Sequence, residues 1–210
     1  MNHYITVAAA PAKLAILAGA FNPPTRAHMA MAEAALDVVD EVLFVLPRVF
    51  PHKEYSGATL EARVEMLRAA LDGHPRFSLA TTDAGLFIDI AREVRGHYGS
   101  GAELYFLCGR DAAERIVNWD YGAGVGIREQ LEIFSLLVAS RGGAYEAPAE
   151  MRHRVRGIAL PDGLDEISSS EVRRRIRCGE EWRDLAPGGV VRVIGERGLF
   201  EVNPWSKTQS

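Results

Sequence analysis

The chain predicts an α/β fold built on a doubly wound parallel sheet, because short apolar runs of strand length alternate with amphipathic runs of helix length from residue 13 to 200. Two further observations support this. Glycines and polar side chains gather just after the apolar runs, where ligands collect on parallel sheets. No segment repeats and no linker interrupts the alternation, so one Rossmann-like domain is expected over 13–200, with a loose alanine-rich lead-in over 1–12 and a loose tail over 201–210.

Composition narrows the classes of function. With 210 residues, 48% apolar and 25% charged, the chain resembles an ordinary soluble globular protein. Its net charge of -4 removes any global electrostatic case for a nucleic-acid partner. No apolar run reaches the roughly eighteen residues needed to span a membrane. The N-terminus lacks a basic region, and Lys13 interrupts its apolar stretch, so no leader peptide is expected. Two cysteines, Cys108 and Cys178, give neither a disulfide framework nor a zinc spacing, which favours a cytoplasmic setting. Oligomeric state stays open, a homo-oligomer included.

The first element organises the rest. Leu14 to Ala18 reads as a buried strand, followed by a turn built from Gly19, Asn22, Pro23 and Pro24, and then by a helix opening at Thr25. Thr25 can cap free backbone N–H groups, and Thr25 and His28, at i and i+3, share one helix face. A helix N-terminus carries partial positive charge and free donors, so a phosphate is the expected ligand. An ordinary turn with a surface histidine is the competing reading.

Ala30 to Asp37 continues the helix, and Glu41 to Leu46 is the next strand, completing a βαβ unit. Pro47 to Gly57 is a loop that carries His52 and Lys53 to the same sheet edge as His28. Thr59 to Leu71 is a helix with an imperfect capping box and an apolar face of Leu60, Val64, Leu67 and Leu71. Phe77 to Ala80 is a weak strand, and Asp83 to Tyr98 contains a helix ending near Gly96 or Gly99.

Glu103 to Cys108 is a clear strand, followed by Gly109, Arg110 and Asp111 and a helix over Ala112 to Val117. Gly109 would allow a ligand close to the backbone, and Asp111 could accept ribose hydroxyls or simply cap its helix. Trp119 to Gly126 is a turn-rich connector, Leu131 to Ala139 a strand, and Gly157 to Leu160 a last short strand. Arg152 to Arg156 is basic, a pattern usually found on solvated faces.

After Ile167, Ser168 and Glu171 form a capping box and Gly179 suits the end of the helix between them. On that helix Arg173 and Arg177 share a face, while Glu171 can pair with Arg175. Arginine forks suit a polyphosphate, although a solvated basic face is the competing reading. Val190 to Ile194, flanked by Pro187 and Gly198, reads as the terminal helix.

Together these motifs resemble the nucleotidyltransferase superfamily, most closely the nicotinate or nicotinamide mononucleotide adenylyltransferases. The family's opening pattern, G-G-[ST]-F-[DN]-P-x-[HT]-x-G-H, is matched by Ala18 to His28, and its closing I-S-S-[ST]-x-x-R by Ile167 to Arg173. Between them Phe50 to Lys53 resembles the P-P-H-K segment, Arg63 to Met66 the R-x-x-M pattern, and Gly109 to Asp111 the G-x-D pattern followed by Trp119. Gly198 to Phe200 resembles the usual ending. Departures are Thr25 for a histidine, alanines at 18, 20 and 27, and Gly85 to Asp89, which lacks the hydroxyls that hold the pyridine carboxylate in this branch.

The resemblance implies transfer of AMP from ATP to the phosphate of nicotinate or nicotinamide mononucleotide, with release of pyrophosphate. His28, Thr25, Lys53 and Arg173 would be catalytic. ATP would meet Gly19, Ala20, Phe21, His28, Gly109, Asp111, Ile167, Ser168, Ser169 and Arg173. The acceptor would meet Asn22, Lys53, Leu86, Phe87 and Trp119. Mg²⁺ would be delivered with ATP, with no metal held by the protein alone. Two alternatives remain: the same chemistry on another phosphorylated acceptor, and a nucleotide-binding sensor without turnover. A dehydrogenase is disfavoured, because Ala18 to Pro24 lacks G-x-G-x-x-G, and no P-loop G-K-[ST] occurs.

Overall fold

The computed structural model describes residues 1–7, 10–48, 57–118, 125–140, 145–164 and 166–201. Seven strands among them form one sheet: β1 (Asn2–Ile5), β2 (Lys13–Ala18), β3 (Glu41–Pro47), β4 (Phe77–Thr82), β5 (Glu103–Gly109), β6 (Ser135–Ser140) and β7 (Val155–Ala159). The helices are α1 (Arg26–Ala35), α2 (Leu60–Leu71), α3 (Phe87–Tyr98), α4 (Arg110–Asn118), the short α5 (Ile127–Gln130), α6 (Ser169–Cys178) and α7 (Gly188–Arg197).

The sheet order is β1-β4-β3-β2-β5-β6-β7, and β2 to β7 run parallel. Leaving β1 aside, this is the 3-2-1-4-5-6 order of a doubly wound Rossmann-like sheet. Strands covered on both faces should read as continuous apolar runs. β3 and β6 do: every residue of each is buried. In β2 the two faces separate by the period of two. Leu14 and Ile16 join a core with Ile90 and Val94 of α3 and Ala113 of α4. Ala15 and Leu17 join the opposite core with Leu67 of α2, Val172 of α6 and Val193 of α7.

Several boundaries differ from the sequence reading. β4 extends to Thr82 and is wholly buried, although Ser78, Thr81 and Thr82 break its apolar run. Two of those hydroxyls are satisfied by partners from other elements: Ser78 donates to the Glu41 carboxylate, and Thr82 donates to Glu93 at 2.7 Å. β6 begins at Ser135 rather than Leu131, because Leu131 closes the α5 turn by donating its N–H to the Ile127 carbonyl at 2.9 Å. α4 starts directly at Arg110, with no connector after β5.

The larger correction concerns residues 1–12, expected as a loose lead-in. Asn2–Ile5 is an edge strand, antiparallel to β4, with His3 opposite Ala80. The polar, non-alternating sequence hides it. What holds it is docking against α3: His3 stacks on His97 with ring centroids 3.7 Å apart, and its ring edge meets Tyr98 at 6.0 Å. Neither His3 ring nitrogen has a hydrogen-bond partner among the described residues.

Burial, then the neighbouring His97 and the N-terminal ammonium, lower the His3 pKa below the ordinary 6.5. The undocked strand therefore binds the proton more readily than the docked one. Docking should be fully favourable above 6.5 and weaken as pH falls below that value. Amide exchange over Asn2–Ile5 is thus expected to accelerate between about pH 7.5 and about pH 5.5 relative to β3, and His3→Phe should remove most of that difference.

Candidate active site

Parallel doubly wound sheets open a crevice where neighbouring strands send their chains to opposite faces, beyond the carboxyl ends of those strands. Here that point lies between β2 and β5, so the residues after Ala18 and those around Gly109 face it. At Gly109, apart from its own chain neighbours, no atom of the described residues lies within 4 Å of where a side chain would begin, room that a ligand could use. Asp111 is exposed in the first turn of α4.

The turn after β2 is held from several directions. Gly19 donates its N–H to the Val45 carbonyl at 3.1 Å. Phe21 adopts a left-handed φ of 45° and is buried, with its ring 5.6 Å from Phe44 and 5.1 Å from His28. The Ala20 carbonyl accepts from the buried Arg63 at 3.3 Å. The Asn22 carbonyl accepts from Arg173 at 2.6 Å, and the Pro23 carbonyl from the Ser169 hydroxyl at 2.7 Å. Donors from α2 and α6 therefore engage three carbonyls of one short turn.

Asn22 was expected to meet the acceptor. Instead it is 4% exposed, and its Oδ1 accepts the Ala58 N–H at 3.1 Å. Gly57 lies directly against it, and a Cβ there would fall 2.0 Å from the Asn22 side-chain nitrogen. Asn22 is thus a strut between the turn and the approach to α2.

Thr25 also differs from its expected part. It is the N-cap of α1 with no exposed surface, so its hydroxyl is not presented to a ligand. The Thr25 N–H donates to Nδ1 of His28 at 3.1 Å, and Thr25 Oγ1 lies 2.8 Å from the same nitrogen. The imidazole of His28 is half-buried at the start of α1.

On α6 the Ser168 side chain accepts the Glu171 N–H at 3.1 Å, which is one half of the expected capping box. The other half is replaced, because the Glu171 carboxylate takes two bonds of 2.7 and 2.8 Å from Arg174 and one of 2.7 Å from Arg175. Guanidinium forks are stronger partners for a carboxylate than one backbone amide. The Arg174 and Arg175 forks hold the Glu171 carboxyl down to about 2. Arg174 also bonds Glu180, so the α6 arginines divide: 174 and 175 serve carboxylates, and 173 reaches the turn.

The remaining expected residues fall into place unevenly. Ile167 packs against the core below α6. Leu86, the N-cap of α3, is 46% exposed on the rim, whereas Phe87 stacks face to face on Phe106 at 4.2 Å and spends that ring face in the core. Lys53 and Trp119, together with His52, lie outside the described residues. Cys108, near the end of β5, is buried, and that burial pushes its thiol up to about 12, which disfavours the reactive thiolate. Arg63, Gly57 and Ala58 were not singled out as site residues. The sequence signals for Arg63 were its place among the apolar positions of α2 and the R-x-x-M pattern it opens.

Known proteins resemble this chain in sequence and in fold. The model of the cytidylyltransferase-like family matches residues 16–175. A relative from Gloeobacter violaceus, named "Probable nicotinate-nucleotide adenylyltransferase", is 33% identical and covers 90% of this chain and 97% of its own. One from Geobacillus thermodenitrificans with the same name is 32% identical, covering 90% and 86%. Among solved structures, the Plasmodium falciparum nicotinic acid mononucleotide adenylyltransferase complexed with NaAD superposes with a TM-score of 0.68 at 18% identity, covering 90% of this chain and 97% of its own. At that identity the likeness speaks for the fold alone.

The Gly57 contact yields a structural test. Gly57→Ala should destabilise the protein by about 2 kcal/mol, since the backbone there is left-handed at φ 146° and the new methyl meets Asn22. In thermal unfolding, Asn22→Ala should lose stability alone, yet the double variant should be less destabilised than the sum of the two.

Proposed function

The chain belongs to the cytidylyltransferase-like family, and from that membership and its site we propose that it transfers AMP from ATP to nicotinate mononucleotide, releasing pyrophosphate. It is a nucleotidyltransferase of NAD biosynthesis. The observation that carries the reading is the meeting of two motifs far apart in sequence. Ser169 bonds Pro23 across 146 residues and Arg173 bonds Asn22 across 151, so the hydroxyl-rich start of α6 and the turn before His28 form one cradle at the switch point.

In this reaction the acceptor phosphate attacks the α-phosphorus of ATP in line, a new P–O bond forms, and the bond to the leaving pyrophosphate breaks. No covalent enzyme intermediate is required, so the protein contributes positioning and charge stabilisation. His28 would donate to a phosphate oxygen on which charge builds. The amides from Gly19 to Phe21 would line the nucleotide, with Gly109 and Asp111 on the ribose side. Ser168, Ser169 and Arg173 would hold the outer phosphates, and Lys53 would add a cation from its loop.

A divalent cation such as Mg²⁺ would arrive with ATP and neutralise charge on the phosphate oxygens. Among the described residues no three His, Cys, Asp or Glu side chains converge. No helix among those residues is long and apolar enough to cross a membrane, and a cytoplasmic setting is in keeping with soluble ATP and mononucleotide substrates.

Nicotinamide mononucleotide is the second reading, favoured by one feature. The start of α3, the segment expected to meet the acceptor, carries apolar Leu86 and an Asp89 already paired with Arg92 at 3.0 Å, whereas a pyridine carboxylate would ask for hydroxyls or an unshared cation. Measuring pyrophosphate release with each acceptor decides between them. In the same assay, His28→Ala is expected to lower turnover by on the order of 10² while ATP affinity changes little. Turnover near that of the unsubstituted protein would overturn the role of His28, and nucleotide binding without any release would indicate a sensor instead.

A further inference from the structure

The structure assigns to buried Thr25 the work of a positioning residue, one that holds His28 as a neutral imidazole protonated on Nε2. An amide N–H can only donate, and the Thr25 N–H points at Nδ1 of His28 from 3.1 Å. That nitrogen must then offer its lone pair, so the ring proton sits on Nε2. Thr25 Oγ1, 2.8 Å from the same nitrogen, can add a second donated bond. Moving the proton to Nδ1, or adding one there, would set an N–H against an N–H.

Two surroundings act in the same direction. Thr25 has no exposed surface, so water does not compete for the contact. The Phe21 ring meets the imidazole edge-on, with centroids 5.1 Å apart and planes at 64°, which limits rotation of the ring. Among the described residues, the charged side chains recorded as bonding the adjoining turn are both cations, Arg63 from α2 and Arg173 from α6. Arg26, on α1 itself, is exposed and bonds the Asp184 carbonyl.

The inference rests on the proposed reaction for its purpose and on geometry alone for its content. A neutral Nε2–H is a directed donor that need not lose or gain a proton during phosphoryl transfer. It can strengthen its bond as charge grows on the phosphate oxygen, with no reorganisation of the ring. The hydroxyl expected to assist at the phosphate instead acts one step behind, through the histidine.

The test reads the ring nitrogens directly. Long-range ¹H–¹⁵N correlation spectra of the uniformly labelled full chain near neutral pH, with His28 assigned by comparison with His28→Gln, should show a protonated Nε2 and an unprotonated Nδ1. Thr25→Val keeps the amide and the shape but removes the hydroxyl. It should leave Nδ1 unprotonated, because the backbone amide remains, but shift the Nδ1 resonance as the second bond is lost and lower kcat about tenfold as the ring is held less firmly, with the KM for ATP nearly unchanged. Thr25→Ser should restore both. A protonated Nδ1 in the unsubstituted protein would overturn the inference, as would a valine variant with unaltered shifts and kcat. If the protein released no pyrophosphate while His28 showed the expected tautomer, the proposed reaction would fail and the positioning role would stand.

Discussion

The contact on which the rest depends is the bond from Arg173 to the Asn22 carbonyl, seconded by Ser169 on Pro23. In a turn of glycine, alanine and prolines only Phe21 and Asn22 bring side chains that anchor it, and among the described residues neither pairs the turn's carbonyls. Its carbonyls must be paired by something outside it, because buried unpaired carbonyls cost on the order of 1–3 kcal/mol each. α6 supplies two of those partners and α2 a third through Arg63. The shape of the turn therefore depends on two helices being docked on one face of the sheet, and those helices are docked by their apolar sides.

That dependence explains the charge pattern of α6. A run of adjacent arginines would repel itself and compete for the turn if left to solvent. Glu171 and Glu180 engage Arg174 and Arg175, which leaves Arg173 as the arginine of that run that reaches the turn. These exposed ion pairs add little stability by themselves. Their effect is selective: they decide which guanidinium meets the turn.

The opposite end of the sheet follows a different logic. Glu41, at the start of β3, is almost fully buried and receives the Ser78 hydroxyl and the Tyr98 phenol, the latter at 2.7 Å. Burial first, and then this carboxylate, raise the Tyr98 pKa, so the phenol stays a donor. Ser78, one of the polar residues that obscure β4 in the sequence, ties β3, β4 and α3 together below the crevice through Glu41 and Tyr98, while β1 covers the exposed edge of β4. Rigidity there leaves the carboxyl ends of β2 and β5 as the fixed walls of the site.

Much of this was written locally in the chain. β2, β3 and β5 were legible because burial on both faces demands continuous apolar runs, and His28, Ser168 and Arg173 because helix starts demand particular caps and spacings. What the sequence could not determine was the partner of each polar atom. Thr25 reads as a hydroxyl offered to a phosphate, Asn22 as a ligand contact and Phe87 as an acceptor platform. Packing turned the first towards His28, the second towards Ala58 and the third onto Phe106. β1 likewise became a strand only through β4 and His97. Propensity and periodicity act over a few neighbouring residues, whereas the fate of a buried donor or acceptor is settled by whichever distant element is packed against it.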